Sequence, residues 1–367
     1  MTSTLETLLL VPLRHAKTDL GANARRVEAT SIDGKPSFAA LGLRELPIAI
    51  VPKLVTFDAL APTLLENDAR LVEVPGVAQV FVVRQRWSIG DDVDPLRIAW
   101  PEYWLRALDV GTQNYEAFAR ARGLSARLEW VSVLSIVTMA QDPPPLDALM
   151  RVTQMNDQRS GQAQAAGVAC VSGWDGGLFV LDSRVPTVSA AVVAAIHYVT
   201  AADWEAHALA SQELAALLAG LRDTALTARR AFAGVRSISR HLFWVQATLD
   251  PDILCWVSSD VAIADAMWRG WGNAGLRERT CRTLDQVTRV LELDASDEEA
   301  RSRNRTNAAL ELLAVLGVAG TAASVIAAVD FSNHVLSSEL TRLAAVVFCC
   351  IFTLSAFLLV SRGARRR

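Results

Sequence analysis

Three features of this chain have residue types that chemistry uses. The first is Gly270-Trp271-Gly272-Asn273-Ala274-Gly275, which spells G-x-G-x-x-G. That pattern cradles a pyrophosphate when a strand precedes it and a helix follows. Here Val261–Arg269 precedes it with helical spacing, so it reads as a turn between helices. The second is the histidine set His15, His197, His207, His241 and His334. These are scattered, with no H-E-x-x-H and no paired spacing, and a lone imidazole is more often a core or surface residue than a ligand. Neither G-x-S-x-G nor a Walker loop occurs, and the plentiful carboxylates cannot be paired across the fold. No catalytic residue, cofactor or metal set follows, and the chain is not expected to be an enzyme.

The third pattern lies near the C-terminus. Asn307, Leu310, Ala314, Gly317, Thr321, Ser324 and Ala328 follow one another at steps of three and four. Apart from Leu310 they are small or polar, which suits close helix approach or a narrow aqueous path. Glu311 stands one turn inside the same segment, where it reads as an interfacial side chain or as one of a ring of carboxylates. Glu311, Ala314, Gly317, Thr321, Ser324 and Asn333 are therefore the candidate pore or helix-interface residues.

The elements that must position them are two apolar runs, Leu312–Val329 and Leu343–Val360, each eighteen residues long without a charge. That length crosses a hydrocarbon core of about 30 Å. Arg301, Arg303 and Arg305 precede the first run, and Arg362, Arg365, Arg366 and Arg367 follow the second, whereas the loop Asp330–Arg342 holds one arginine. The charge asymmetry predicts a transmembrane hairpin (about 308–329 and 343–361) in the inner, or plasma, membrane, both termini cytoplasmic. The first helix is expected inside an oligomer and the second, with Phe348, Phe352 and Phe357, against lipid.

Composition bounds the rest. At 367 residues there is room for a head domain and an anchor. A formal charge of -3 argues against nucleic acid as a partner. The five cysteines form no C-x-x-C pair and imply neither a disulfide framework nor a zinc site. Met1–Lys17 lacks a basic start and a long apolar run, so no signal peptide is indicated.

Residues 1–186 read as an α/β or α+β head. Strands are expected at Leu8–Leu13, Ile48–Val55, Val77–Trp87, Leu128–Met139 and Gly167–Ser172. A hairpin is expected through Gly173–Gly177 into Leu178–Leu181. Helices are expected around Phe57–Asn67, Glu102–Arg122 and Pro145–Gln158. Residues 187–306 read as a long helical stalk, with one seam from Leu214 to Leu242, a break at Asp250-Pro251-Asp252, and a nearly unbroken helix from about Arg277 to Val329. The ten tryptophans read as packing between helices.

This order of parts resembles the CorA family of magnesium channels. The match is architectural: a head to about Pro186, helices from Val188 to Arg305, a membrane helix to Val329, a short loop from Asp330 and a basic tail Ser361–Arg367. Where that family has Gly-Met-Asn, this chain has Val329-Asp330-Phe331-Ser332-Asn333-His334, and Asn333 alone matches in type. The resemblance implies a homopentamer in the lipid bilayer that conducts a divalent cation, its head sensing a small cytoplasmic ligand. The alternative is a membrane-tethered signalling or defence effector whose hairpin anchors or perturbs the bilayer.

Overall fold

A computed structural model describes residues 3–13, 24–27, 29–30, 36–37, 42–56, 62–90, 93–124, 128, 130–155, 160–174, 176–185, 188–222, 228–249 and 258–333, with short pieces at 347–348 and 351. The strands are β1 (Ser3–Leu13), β2 (Arg25–Arg26), β3 (Ala29–Thr30), β4 (Pro36–Ser37), β5 (Arg44–Ile48), β6 (Thr63–Val74), β7 (Ala78–Ile89), β8 (Ser132–Met139), β9 (Gly161–Ala165), β10 (Val168–Ser172) and β11 (Gly176–Asp182). The helices are α1 (Trp100–Arg122), α2 (Leu146–Thr153), α3 (Ala190–Arg222), α4 (Ala228–Thr248), α5 (Ser258–Trp271) and α6 (Asn273–Asn333).

One nine-stranded sheet organises residues 1–287, in the order β2-β5-β6-β7-β1-β8-β11-β10-β9. Its neighbours are antiparallel except β8 and β11, which run parallel. Alternation decides which side each residue takes. Leu5, Leu9 and Val11 of β1 pack with Phe81 and Val83 of β7 under Trp100, Trp104 and Phe118 of α1. On this side Thr7 hydrogen-bonds the Tyr103 hydroxyl. Leu8 and Leu10 face the other way, with Val80 and Val82, toward Val192, Val199 and Ala202 of α3 and Met267 of α5. Residues Val192 to Ala202 of α3 are all buried. A helix enclosed on every side reads as continuously apolar, and Val192-Val193-Ala194-Ala195-Ile196 is such a run.

The transmembrane hairpin is a correction. Among the described residues no helix is long and apolar enough to cross a membrane. The expected fold class, the membrane and transport character of the C-terminus and the multi-pass inner-membrane location are all overturned by that finding. Leu312–Val329 is not an element of its own. It is the last part of the 61-residue α6, which carries exposed charges as far as Glu311. The helix also continues past Asp330, where a loop was expected, to Asn333. The second run, Leu343–Val360, lies outside the described residues apart from 347–348 and 351.

Three further expectations change. Thr63–Asn67 belongs to strand β6, not to a helix over Phe57–Asn67, and residues 57–61 lie outside the described residues. The segment after Ile48 is not strand. Side chains hold it instead: Lys53 N–H donates to Asn114 Oδ1 at 2.7 Å, and Val55 N–H to Gln85 Oε1 at 2.9 Å. The seam Leu214–Leu242 is shared between α3 and α4, and a Cβ added at Gly234 of α4 would stand 3.1 Å from Leu217 of α3. Its spacing marks the facing sides of two packed helices rather than one long stalk.

The G-x-G-x-x-G pattern does join two helices. Gly272 takes φ +70° and closes α5 by donating to Arg269 O at 3.0 Å. Gly270 has a different task, because a Cβ there would stand 2.1 Å from Ser172 O on β10. Gly161 of β9 is as tight, its Cβ falling 1.5 Å from Ala266 O. Helix α5 thus lies backbone-to-backbone on the sheet margin. Gly270→Ala should cost about 3 kcal/mol of unfolding free energy by forcing α5 off the sheet. Gly275→Ala, with nothing within 4 Å of the new Cβ, should be neutral or stabilise by about 0.5 kcal/mol. Denaturant midpoints of the two variants check the contrast.

Candidate functional site

The residues expected to line a pore do not converge on anything described. Glu311, Ala314 and Gly317 lie exposed along α6. Thr321, Ser324 and Asn333 belong to the same helix, and their side chains lie outside the described set. Among the described residues no group of three or more His, Cys, Asp or Glu could hold a metal ion.

The sheet does converge charges. Adjacent strands β5, β6, β7 and β1 present Glu45, Glu66, Asp68, Arg70, Arg84 and Glu6 in one connected ladder. Arg70 Nε donates to Asp68 Oδ2 at 2.6 Å, and its Nη1 donates to Glu45 Oε2 at 3.0 Å. A third contact runs from Arg70 Nη2 to Glu66 Oε1 at 3.4 Å. Arg84 meets Glu6 twice, Nε at 2.8 Å from one oxygen and Nη2 donating to the other at 3.1 Å. Arg84 Nε also lies 3.8 Å from Glu66 Oε2, which joins the two clusters. The register explains the geometry: Arg84 is directly opposite Asp68, and Glu45 and Glu6 are diagonal to their arginines.

Burial opposes both guanidinium charges. The carboxylates outweigh it: Asp68 and Glu45 hold Arg70, and Glu6 and Glu66 hold Arg84, protonated above the ordinary arginine range. Glu6, with only 6% of its side chain exposed, is an acid that burial would penalise without Arg84.

Over this ladder lies a cleft of about 610 Å³ between the sheet and the start of α3. Glu6, Glu45, Arg70 and Arg84 form its floor, Ala191, Ala194 and Tyr198 of α3 its roof, and Arg25 and Arg26 on β2 its exposed mouth. The volume matches small-molecule sites. Tyr198 is 6% exposed, yet its hydroxyl has no hydrogen-bond partner among the described residues. Burial, with Glu6 and Glu45 adding to it against Arg70 and Arg84, raises its phenol above the ordinary range. The phenol therefore stays neutral and can both donate and accept in the electrostatic field of the ladder.

Five residues along α3, a second polar cluster joins that helix to the first turns of α6. Asp203 accepts from Arg277 Nη2 at 2.6 Å and from Asn273 Nδ2 at 2.8 Å, and Asn273 also donates to Thr200 O at 3.0 Å. The Arg277 guanidinium sits 4.1 Å over the Trp268 ring. His207 Nδ1–H donates to Asp203 O at 2.9 Å. Trp130 packs edge-on against Trp204 and Trp271 and donates to Glu205 Oε2 at 3.2 Å. These tryptophans fill the space between helices and sheet, whereas Trp244, also expected to pack between helices, is 64% exposed.

Sequence reading missed the ladder, because its members are separated by up to 78 residues along the chain. One signal was present: Glu66, Asp68 and Arg70 alternate at the strand period within Thr63–Val74. No family model matches this chain, and no curated protein matches it.

Asp203→Ala should destabilise the head by about 3 kcal/mol, because it strands the partly buried Arg277 charge and the Asn273 amide. Thermal and denaturant unfolding measure the loss. The buried histidines set an acid response. Burial pushes His197 down to about 3 and His207 below its ordinary value, the latter against an opposing pull from Asp203. Unfolded histidine titrates near about 6.5. Below that pH the unfolded chain takes up protons that the folded chain refuses, so stability is full above about pH 6.5. It should fall by about 1.4 kcal/mol per pH unit through His197 as the pH drops from about 6.5 toward about 3, with His207 adding a loss of the same sign. His197→Phe should remove about one proton from that slope in chemical unfolding between about pH 7 and about pH 5.

Proposed function

We propose that the head is a ligand sensor whose binding site is the charged cleft between the sheet and α3. The observation that carries this is Tyr198, a largely buried side chain whose hydroxyl has no protein partner among the described residues and lines the cleft above a floor of ionised side chains. A polar group without a protein partner in the wall of a cleft is where a ligand recovers hydrogen-bond energy. The same helix carries Asp203 at the Arg277 junction, so a ligand that tightens the roof acts on the element that holds α6. Sensing by the head is the part of the sequence-based reading that the geometry supports. Ion conduction drew on the transmembrane hairpin and forms no part of the proposal.

The test is a thermal-shift and calorimetry screen of the full chain against free amino acids, small carboxylates, small amines and phosphorylated amines. A bound compound raises the unfolding free energy by mass action, about 2.7 kcal/mol at a hundredfold excess over Kd. Ala191→Trp, which fills the cleft from an exposed position on α3, should abolish that gain and leave the unliganded melt unchanged. Binding that survives Ala191→Trp, or no binding by any class, overturns the reading.

A further inference from the structure

Resting on the cleft being a ligand site, we propose that its ligand is a free α-amino acid, held by both its ammonium and its carboxylate. The cleft separates unspent charge of two signs by a single strand spacing. Arg25 of β2 is directly opposite Glu45 of β5 in the antiparallel register. Opposed residues on neighbouring strands put their Cβ atoms about 5 Å apart. The two nevertheless form no ion pair with each other. Arg25 makes no ion pair among the described residues, and Glu45 takes one hydrogen bond, from Arg70 to Oε2, leaving Oε1 open.

Every other charge on the floor is committed. Arg70 is clamped by Glu45, Glu66 and Asp68, and both oxygens of Glu6 face Arg84. A simple anion would meet Arg25 but also the open Oε1 of Glu45 one strand away. A simple cation would meet Glu45 but also Arg25. A ligand whose ammonium and carboxylate share one carbon answers both. The ammonium donates to Glu45, the carboxylate accepts from Arg25, and the Tyr198 hydroxyl, otherwise unpartnered, completes the set. The remaining volume, under Ala191 and Ala194 and beside Val27, takes an uncharged side chain.

The experiment is calorimetric titration of the full-length protein with each proteinogenic amino acid. The N-acetyl derivative and the decarboxylated amine of whichever binds best serve as controls. At least one amino acid should bind, and each control, lacking one of the two charges, should bind about tenfold more weakly or worse. Arg25→Ala and Glu45→Gln should each weaken the amino acid about tenfold. Each should also narrow its advantage over the control that lacks the matching charge, a selectivity change that a general loss of folding does not produce. Circular dichroism melts confirm that both variants remain folded. Controls that bind as tightly as the amino acid, or binding indifferent to both substitutions, overturn the amino-acid assignment. If such binding is still blocked by Ala191→Trp, the cleft stands as a ligand site for another chemistry. If no compound of any class binds, both fall.

Discussion

Charge cancellation across strands β5, β6, β7 and β1 is the constraint on which the middle of this molecule depends. Six ionised side chains occupy the side of the sheet that α3 covers, and the most buried of them, Glu6, would be costly there without Arg84. The register brings each arginine within reach of carboxylates from its own and neighbouring strands. Because Arg84 and Arg70 share Glu66, the two clusters behave as one network rather than as independent pairs. That network lets a strand as polar as Thr63–Val74 lie at the interior of a nine-stranded sheet. It also holds the roof helix off the sheet, since charged groups cannot be packed over as Leu8 and Leu10 are a few residues further along β1.

Helix α3 then links two polar regions through an apolar middle. Tyr198 meets the ladder, Val199 and Ala202 pack on the sheet, and Asp203 takes Arg277 and Asn273 from α6. Tyr198 and Asp203 are about 7.5 Å apart along the axis, and the helix between them is buried on all sides. A displacement at one end of so short and enclosed a segment cannot be absorbed by bending. Coupling between cleft and junction needs no more than a ligand that favours one position of α3 over another.

Parts of this were legible in advance. Strands β7, β8, β10 and β11 are rich in Val, Ile and Leu and lie close to the bounds their pattern predicts, whereas β1 is predicted only from Leu8 and begins at Ser3. Gly270–Gly275 was read as a turn between helices, because helical spacing precedes it. Strand β6 was read in part as helix, since its leading residues Leu64-Leu65-Glu66-Asn67 carry no strand signature. What makes them a strand is antiparallel pairing with β7, where Leu64 lies opposite Trp87 and Asn67 opposite Gln85. The seam from Leu214 to Leu242 has the same spacing whether one helix continues or two fold back, and only the packing of Leu217 on Gly234 separates these. The length of Leu312–Val329 and its arginine flanks predict a membrane element at the end of a nearly unbroken helix; the helix is continuous from Asn273 to Asn333, but no described helix is long and apolar enough to cross a membrane.

Local pattern alone assigns most of the elements, the start of β6 and the segment after Ile48 excepted, and marks the glycine-rich hexapeptide as a turn between helices. These follow from interactions within a few residues, so local pattern suffices. The cleft, the ladder beneath it and the unpartnered Tyr198 were decided by tertiary structure. Their members lie on six different elements, and no local rule states that Arg84 will meet Glu6 or that Arg25 will lie opposite Glu45. Strand order and register decide it, and those are set by how the whole sheet buries its two apolar sides at once.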